Sequence, residues 1–211
     1  MKHILLLTTG GTIASRPTEE GLAPGMDGDA LTRHFPLLSE NYALTVRDIL
    51  HLDASNIQPE EWQLIARAVH DQRAAYDGVV ITHGTDTMAY TASVLSFMLR
   101  GIPIPVVLTG SQLPIEHPLT DALENLRIAF AMAASGTPGV FVAFDRKVIL
   151  GCRAVKTRTK GFDAFESVNW PPAALVDGGG LHIDPAALPP AAGDRCTLRD
   201  ELCRDVFLIK L

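Results

Sequence analysis

Short apolar runs alternate with compact polar turns along most of this chain. Residues 3–8, 43–50, 78–81 and 105–109 carry such runs, and Ile4-Leu5-Leu6-Leu7, Val79-Val80-Ile81 and Val106-Val107-Leu108 are apolar at consecutive positions. A strand without alternation suits a parallel sheet covered on both faces. Between these runs the period changes. Trp62, Ile65, Ala66 and Val69 recur at helical spacing behind Pro59, which fits a first helical position. Met88, Thr91, Ala92, Leu95 and Leu99 predict a helix over 87–99, and Ala122, Leu126, Ala129, Phe130 and Ala133 one over 120–135. A short helix is expected over 29–35. Residues 140–144 and 147–150 alternate around Asp145-Arg146, and Gly178-Gly179-Gly180 sits in a second such segment over 175–184, so two β-hairpins follow. The pattern predicts a doubly wound, Rossmann-like or flavodoxin-like α/β domain with a mostly parallel sheet, flanked on one side by the hairpins.

Three stretches lack either period. Residues 15–28 are rich in turn formers and predict a loop, a candidate lid over a site. Residues 153–161 are basic and aperiodic, and 185–205, with three prolines, read as a linker. Val206-Phe207-Leu208-Ile209-Lys210-Leu211 is strongly apolar again. The organisation expected is a domain over 1–184, a linker over 185–205, and at 206–211 the first strand of a second, smaller domain that is otherwise absent.

Composition narrows the class without naming a chemistry. A chain of 211 residues, 47% apolar and 20% charged, has enough apolar residues for a full core and lies far from the disordered range. The net charge of −6 and the scattered Lys and Arg give no electrostatic footprint for nucleic acid or for an anionic membrane, so neither is an expected partner. Three cysteines without a Cys-x-x-Cys spacing indicate neither a disulfide framework nor a zinc site, which fits a reducing, cytoplasmic setting. Residues 4–7 are too short an apolar run for a signal peptide.

Chemistry-bearing residues concentrate in four turns, 9–12, 53–56, 82–86 and 110–112, each of which follows a predicted strand. In a parallel sheet with right-handed crossovers those turns share one edge, where open α/β sheets place ligands. Gly10-Gly11 lets the backbone approach a ligand and aim its amides at an anion or oxyanion. A nucleophilic hydroxyl needs a base, and Lys156 beside Asp86 is the best candidate. Thr12, Thr85, Asp86 and Lys156 thus suit acyl transfer. Each also has an ordinary reading. Thr85 and Asp86 are good helix caps, Lys156 a usual surface cation, Gly10-Gly11 a tight turn, His83 a packing residue, Ser111 a turn residue, and Asp53 and Ser55 caps of the Pro59 helix.

Together, Thr9-Gly10-Gly11-Thr12-Ile13-Ala14 and Gly78-Val79-Val80-Ile81-Thr82-His83-Gly84-Thr85-Asp86-Thr87-Met88 resemble the paired signatures of the bacterial-type L-asparaginases. Asp53-Ala54-Ser55-Asn56-Ile57-Gln58-Pro59, Leu108-Thr109-Gly110-Ser111-Gln112 and Ala154-Val155-Lys156-Thr157 extend the likeness, and residues 90–99 are most similar to the cytoplasmic, type I branch. The resemblance implies hydrolysis of L-asparagine by double displacement, with Thr12 attacking the amide carbon and Thr85, Asp86 and Lys156 forming a second triad. It implies that Asp53, Ala54, Ser55 and Gly84, with Asp86, hold the α-carboxylate and α-amino groups. Amides near Thr12, Gly11 among them, would serve the oxyanion, and Ser111 would lie by the leaving amide. It implies a homo-oligomer, dimer or tetramer, and no metal or organic cofactor. Two departures stand out. Ala54 occupies a position where the family usually has serine, and Leu22 is the nearest equivalent of a loop tyrosine that assists Thr12 in many relatives. Two other readings remain: a catalytically silent relative that binds a small amino acid or a partner subunit, and the amidase subunit of a Glu-tRNA amidotransferase, which releases ammonia from glutamine.

Overall fold

The computed structural model describes residues 1–18, 21–190, 196–207 and 209. Strand β1 (Lys2–Gly10) opens the main sheet and is paired on both sides, one place in from an edge. A single-turn helix at Thr12–Ala14 follows, then a separate antiparallel pair, β2 (Ser15–Thr18) and β3 (Gly21–Pro24). The aperiodic stretch after Ser15 is therefore partly a hairpin. Its prolines masked this in the sequence, because Pro17 and Pro24 lack the amide that ladder residues normally use. The side chain of Leu22 lies outside the described residues.

Helices α1 (Gly28–Arg33) and α2 (Leu37–Asn41) lead to β4 (Tyr42–Leu52), which pairs parallel with β1. Helix α3 (Pro59–Gln72) begins at the expected proline, and a reciprocal cap closes its start, the Gln58 amide donating to Glu61 Oε2 at 2.6 Å. Then come β5 (Gly78–Thr82), α4 (Met88–Met98), β6 (Pro105–Thr109), α5 (Ala122–Ala134) and β7 (Gly139–Phe144). The parallel strands run in the order β4-β1-β5-β6-β7, the flavodoxin-like arrangement, whose topological switch lies between β1 and β5.

The hairpin strands β8 (Lys147–Leu150), β11 (Ala174–Asp177) and β12 (Gly180–Ile183) continue the same sheet antiparallel from β7, making eight strands. Asp145 and Arg146 both have positive φ, 46° and 61°, as a two-residue hairpin turn of matching twist requires. The expected basic aperiodic segment contains β9 (Ala154–Lys156), paired with β10 (Phe165–Ser167). Three residues are too few to display a period.

Consecutive apolar residues in each strand feed two cores, as a doubly covered sheet demands. Ile4, Leu6, Val80, Val107 and Phe141 meet Leu126, Ala129, Phe130 and Ala133 of α5 on one face, with Leu31, Phe35 and Leu38 at its end. Leu5, Leu7, Val79, Ile81, Val106 and Leu108 meet Ile65, Ala66 and Val69 of α3 and Met88, Ala92 and Leu95 of α4 on the other. Part of the expected linker is strapped over this second layer. The Arg199 amide donates to the Met98 carbonyl (2.9 Å), Gln63 Nε2 donates to the Asp200 carbonyl (2.7 Å), and Leu198 and Leu202 pack on the core. Residues 191–195, also in that expected linker, lie outside the described residues. So do 208, 210 and 211 of the expected terminal strand, while Val206, Phe207 and Ile209 carry no regular structure.

Candidate active site

The four turns meet at the carboxyl end of the parallel strands. Gly11 has φ +83°, and a Cβ placed on it would fall 2.5 Å from the Gly84 nitrogen, so the turns after β1 and β5 are in backbone contact. A Cβ on Gly84 would fall 2.4 Å from the Ala54 Cβ, which brings in the turn after β4. The Gly11 amide donates to the Leu52 carbonyl (3.2 Å) and Thr87 Oγ1 to the Ala54 carbonyl (2.8 Å). Glycine is required where three backbones converge this closely.

On that platform Lys156, carried by β9, reaches the second turn. Its Nζ donates to Thr85 Oγ1 at 2.8 Å and to Asp86 Oδ1 at 2.7 Å. The Lys156 side chain is 14% exposed and that of Asp86 65% exposed, so the amine is sheltered while its counter-ion faces solvent. Lys156 is therefore no freely solvated cation. Nor do Thr85 and Asp86 cap α4: the residue at its N-cap is Thr87, and its hydroxyl is spent on Ala54. Thr12, half-buried, opens the short helix directly after Gly11 and is thus one residue from the Gly84 contact.

Asp53 and Ser55 lie exposed at the mouth. Asp53 Oδ1 accepts from the Ser55 hydroxyl (2.7 Å) and amide (2.8 Å), and these two bonds, the hydroxyl first, hold its carboxyl below the ordinary range. Asp53 caps the turn at Ala54–Asn56 and not the Pro59 helix, which Gln58 and Glu61 cap. Ser111 is buried, its hydroxyl donating to the Leu113 carbonyl.

His83 lies beneath the site and does not act as its base. Fully buried, it contacts the Gly84 carbonyl through Nδ1 (2.8 Å) and the Thr91 hydroxyl through Nε2 (2.9 Å). A carbonyl only accepts, so the proton sits on Nδ1, Nε2 accepts from Thr91, and Thr91 Oγ1 accepts from Trp62 Nε1 (3.0 Å). Trp62 and Thr91 read as core in the sequence; a hydroxyl within an apolar stripe was the available signal. Burial lowers the His83 pKa from 6.5 to about 4. The unfolded chain takes up this proton first, so stability is complete above about pH 6.5 and falls as pH is lowered toward the folded value. Between pH 7 and pH 5 the expected loss is about 2 kcal/mol, read from urea midpoints, and His83→Gln should remove that part of the pH dependence.

The comparisons agree with this architecture. The family model described as Asparaginase, N-terminal matches residues 3–188. An L-asparaginase of Thermococcus kodakarensis is 51% identical over 176 residues, 83% of this chain and 54% of that protein. L-asparaginase 1 of Escherichia coli strain K12 is 41% identical over 197 residues, 90% of this chain and 57% of its own. A glutamyl-tRNA(Gln) amidotransferase subunit of Thermoplasma acidophilum is 36% identical over 186 residues, 84% of this chain and 45% of that one. The solved structure of the thermostable Thermococcus kodakarensis L-asparaginase superposes with a TM-score of 0.88 at 46% identity, covering 95% of this chain and 61% of that one. This chain belongs to the asparaginase family, and what it holds is the family's N-terminal domain. It spans about half the length of the curated relatives it matches.

Proposed function

We propose that this chain carries the reacting groups of an L-asparagine amidohydrolase of the cytoplasmic, type I kind. The observation that carries the reading is the Lys156 amine lying 2.8 Å from Thr85 Oγ1 and 2.7 Å from Asp86 Oδ1, joining segments some seventy residues apart. A sheltered amine in contact with both a hydroxyl and a carboxylate gives that hydroxyl partners for the proton transfers of acyl transfer.

Under this reading, Thr12 Oγ1 attacks the side-chain amide carbon. The C–O bond forms, the C–N bond breaks, and the hydroxyl proton leaves with the nitrogen as ammonia. Water then attacks the aspartyl ester, Thr12 regains its proton, and L-aspartate departs. Thr85, Asp86 and Lys156 move protons to and from the attacking groups, and backbone amides near Thr12 and about Thr85 receive the oxyanion. Asp53 and Ser55, with Ala54, Gly84 and Asp86, hold the α-amino and α-carboxylate groups; Ser111 lies toward the amide end. Ala54 offers no hydroxyl, so only backbone serves there. Full turnover is proposed to draw on the smaller domain that family members carry beyond the matched region, and on a homo-oligomer.

Relatedness to an amidotransferase component makes glutamine the competing substrate. Ammonia release from L-asparagine and L-glutamine, measured in parallel at millimolar concentration, separates the readings. One methylene is worth roughly tenfold or more in a shaped pocket, and asparagine should lead by at least that factor. A lead for glutamine would overturn the asparaginase assignment, and binding of either without release would favour the silent relative.

A further inference from the structure

We propose that Gln112 is a positioning residue that ties the loop after Lys156 to the Thr85 hydroxyl, an inference that rests on the function proposed above. The backbone around Gln112 is pinned from behind. Its amide donates to both carboxylate oxygens of Asp121 (3.1 and 3.0 Å), and Asn125 Nδ2 donates to the Gly110 carbonyl (3.0 Å) and to Asp121 Oδ2 (3.1 Å). Asn125 is 1% exposed, and its Oδ1 accepts from the Asp145 amide (3.0 Å), which anchors the network to the β7–β8 turn.

From this base the Gln112 side chain spans the site. Its Nε2 donates to the carbonyls of Thr159 (3.2 Å) and Gly161 (2.8 Å), and its Oε1 lies 3.4 Å from Thr85 Oγ1. The two carbonyls fix the amide's orientation, since a flipped amide would set oxygen against oxygen. Lys156 Nζ, as an ammonium, can only donate, so Thr85 Oγ1 accepts from it at 2.8 Å and turns its own proton elsewhere. Gln112 Oε1 is the acceptor facing it. One side chain thus holds the loop 157–161 that follows Lys156 and directs the Thr85 proton. At 3.4 Å this third contact is long for an O–H···O bond, so it biases the direction of the hydroxyl without locking it.

The test uses Gln112→Leu and Gln112→Glu in the full chain, with two readouts. In steady-state ammonia release from L-asparagine, both variants should lose about tenfold to a hundredfold in kcat, because misplacement and not binding is affected. KM should stay within about twofold, since Gln112 makes no bond to Asp53 or Ser55. An unchanged kcat, or a rise in KM alone, overturns the proposal. The second readout needs no turnover. The Gln112 side-chain amide resonances, assigned by their loss in Gln112→Leu, should lie away from those of a solvated glutamine and shift in Thr85→Val. Resonances at solvated positions that ignore Thr85→Val overturn the proposal. If the wild-type chain releases no ammonia, the activity reading fails separately, and these resonances still decide the role of Gln112.

Discussion

Lys156→Met should lower ammonia release from L-asparagine by about a hundredfold to ten-thousandfold, the usual contribution of a positioned acid–base group, while leaving the chain folded. The amine contacts Thr85 and Asp86 together, so its removal takes away the one side chain, among the described residues, that bonds both. Its structural contribution is small. Asp86 remains 65% exposed and needs no partner for solvation, and pairs of this kind are worth about 1 kcal/mol or less. The urea midpoint should therefore stay close to that of the parent. Lys156→Arg sharpens the interpretation, since a guanidinium keeps the charge but does not give up its proton near neutrality. If proton movement is the role, arginine fails nearly as badly as methionine; if charge alone matters, it recovers most of the rate. A loss under tenfold in Lys156→Met would remove this residue from the chemistry.

Gly11→Ala should act on the fold itself. Gly11 holds φ +83° with ψ 176°, a region that side-chain-bearing residues seldom enter, and the added methyl would meet Gly84 at 2.5 Å from N and 2.6 Å from Cα. Strain and overlap together predict a loss of about 3 kcal/mol or more, on the order of 10 °C in Tm for a chain of this size. The overlap cannot be relieved by a side-chain rotation, because both partners are backbone. Relief requires the turns that carry Thr12 and Thr85 to separate. Gly178→Ala is the matched control, since its added Cβ meets nothing within 4 Å; it should change stability by less than about 0.5 kcal/mol. Equal effects of the two substitutions would show that the turns are not in the contact described.

The parallel sheet was legible in the sequence because its strands are apolar at consecutive positions. Val79, Val80 and Ile81 feed alternate sides of a sheet with a core on each, and only such a setting accepts that pattern. The helices were legible through Pro59 and through the Met88, Ala92, Leu95 stripe. Prolines hid the Ser15–Thr18 and Gly21–Pro24 pair, and β9 was too short to show a period. For the site, the threonines and Asp86 stood out as polar residues at the ends of buried strands. Lys156 lies some seventy residues away; the need of a hydroxyl for a base singled it out and the resemblance of its flanking residues added to that, but no local pattern foretells that β9 delivers it to Thr85. Asn125 and Asp121 were missed, and Gln112 was read only as part of the 110–112 turn, for a related reason. Their function lies in side-chain bonds between a turn and a helix start, which periodicity does not encode. His83 read as a packing residue, and its full burial agrees.

The most direct test of the central claim is ammonia release from L-asparagine by the purified chain beside Thr12→Ala and Thr85→Ala, each checked for folding by circular dichroism. Turnover in the parent that drops by at least about a thousandfold in both variants is the predicted result, because each removes a hydroxyl that the chemistry requires. Undiminished release from either folded variant would contradict it, and no release from the folded parent would contradict the chain's being an enzyme by itself.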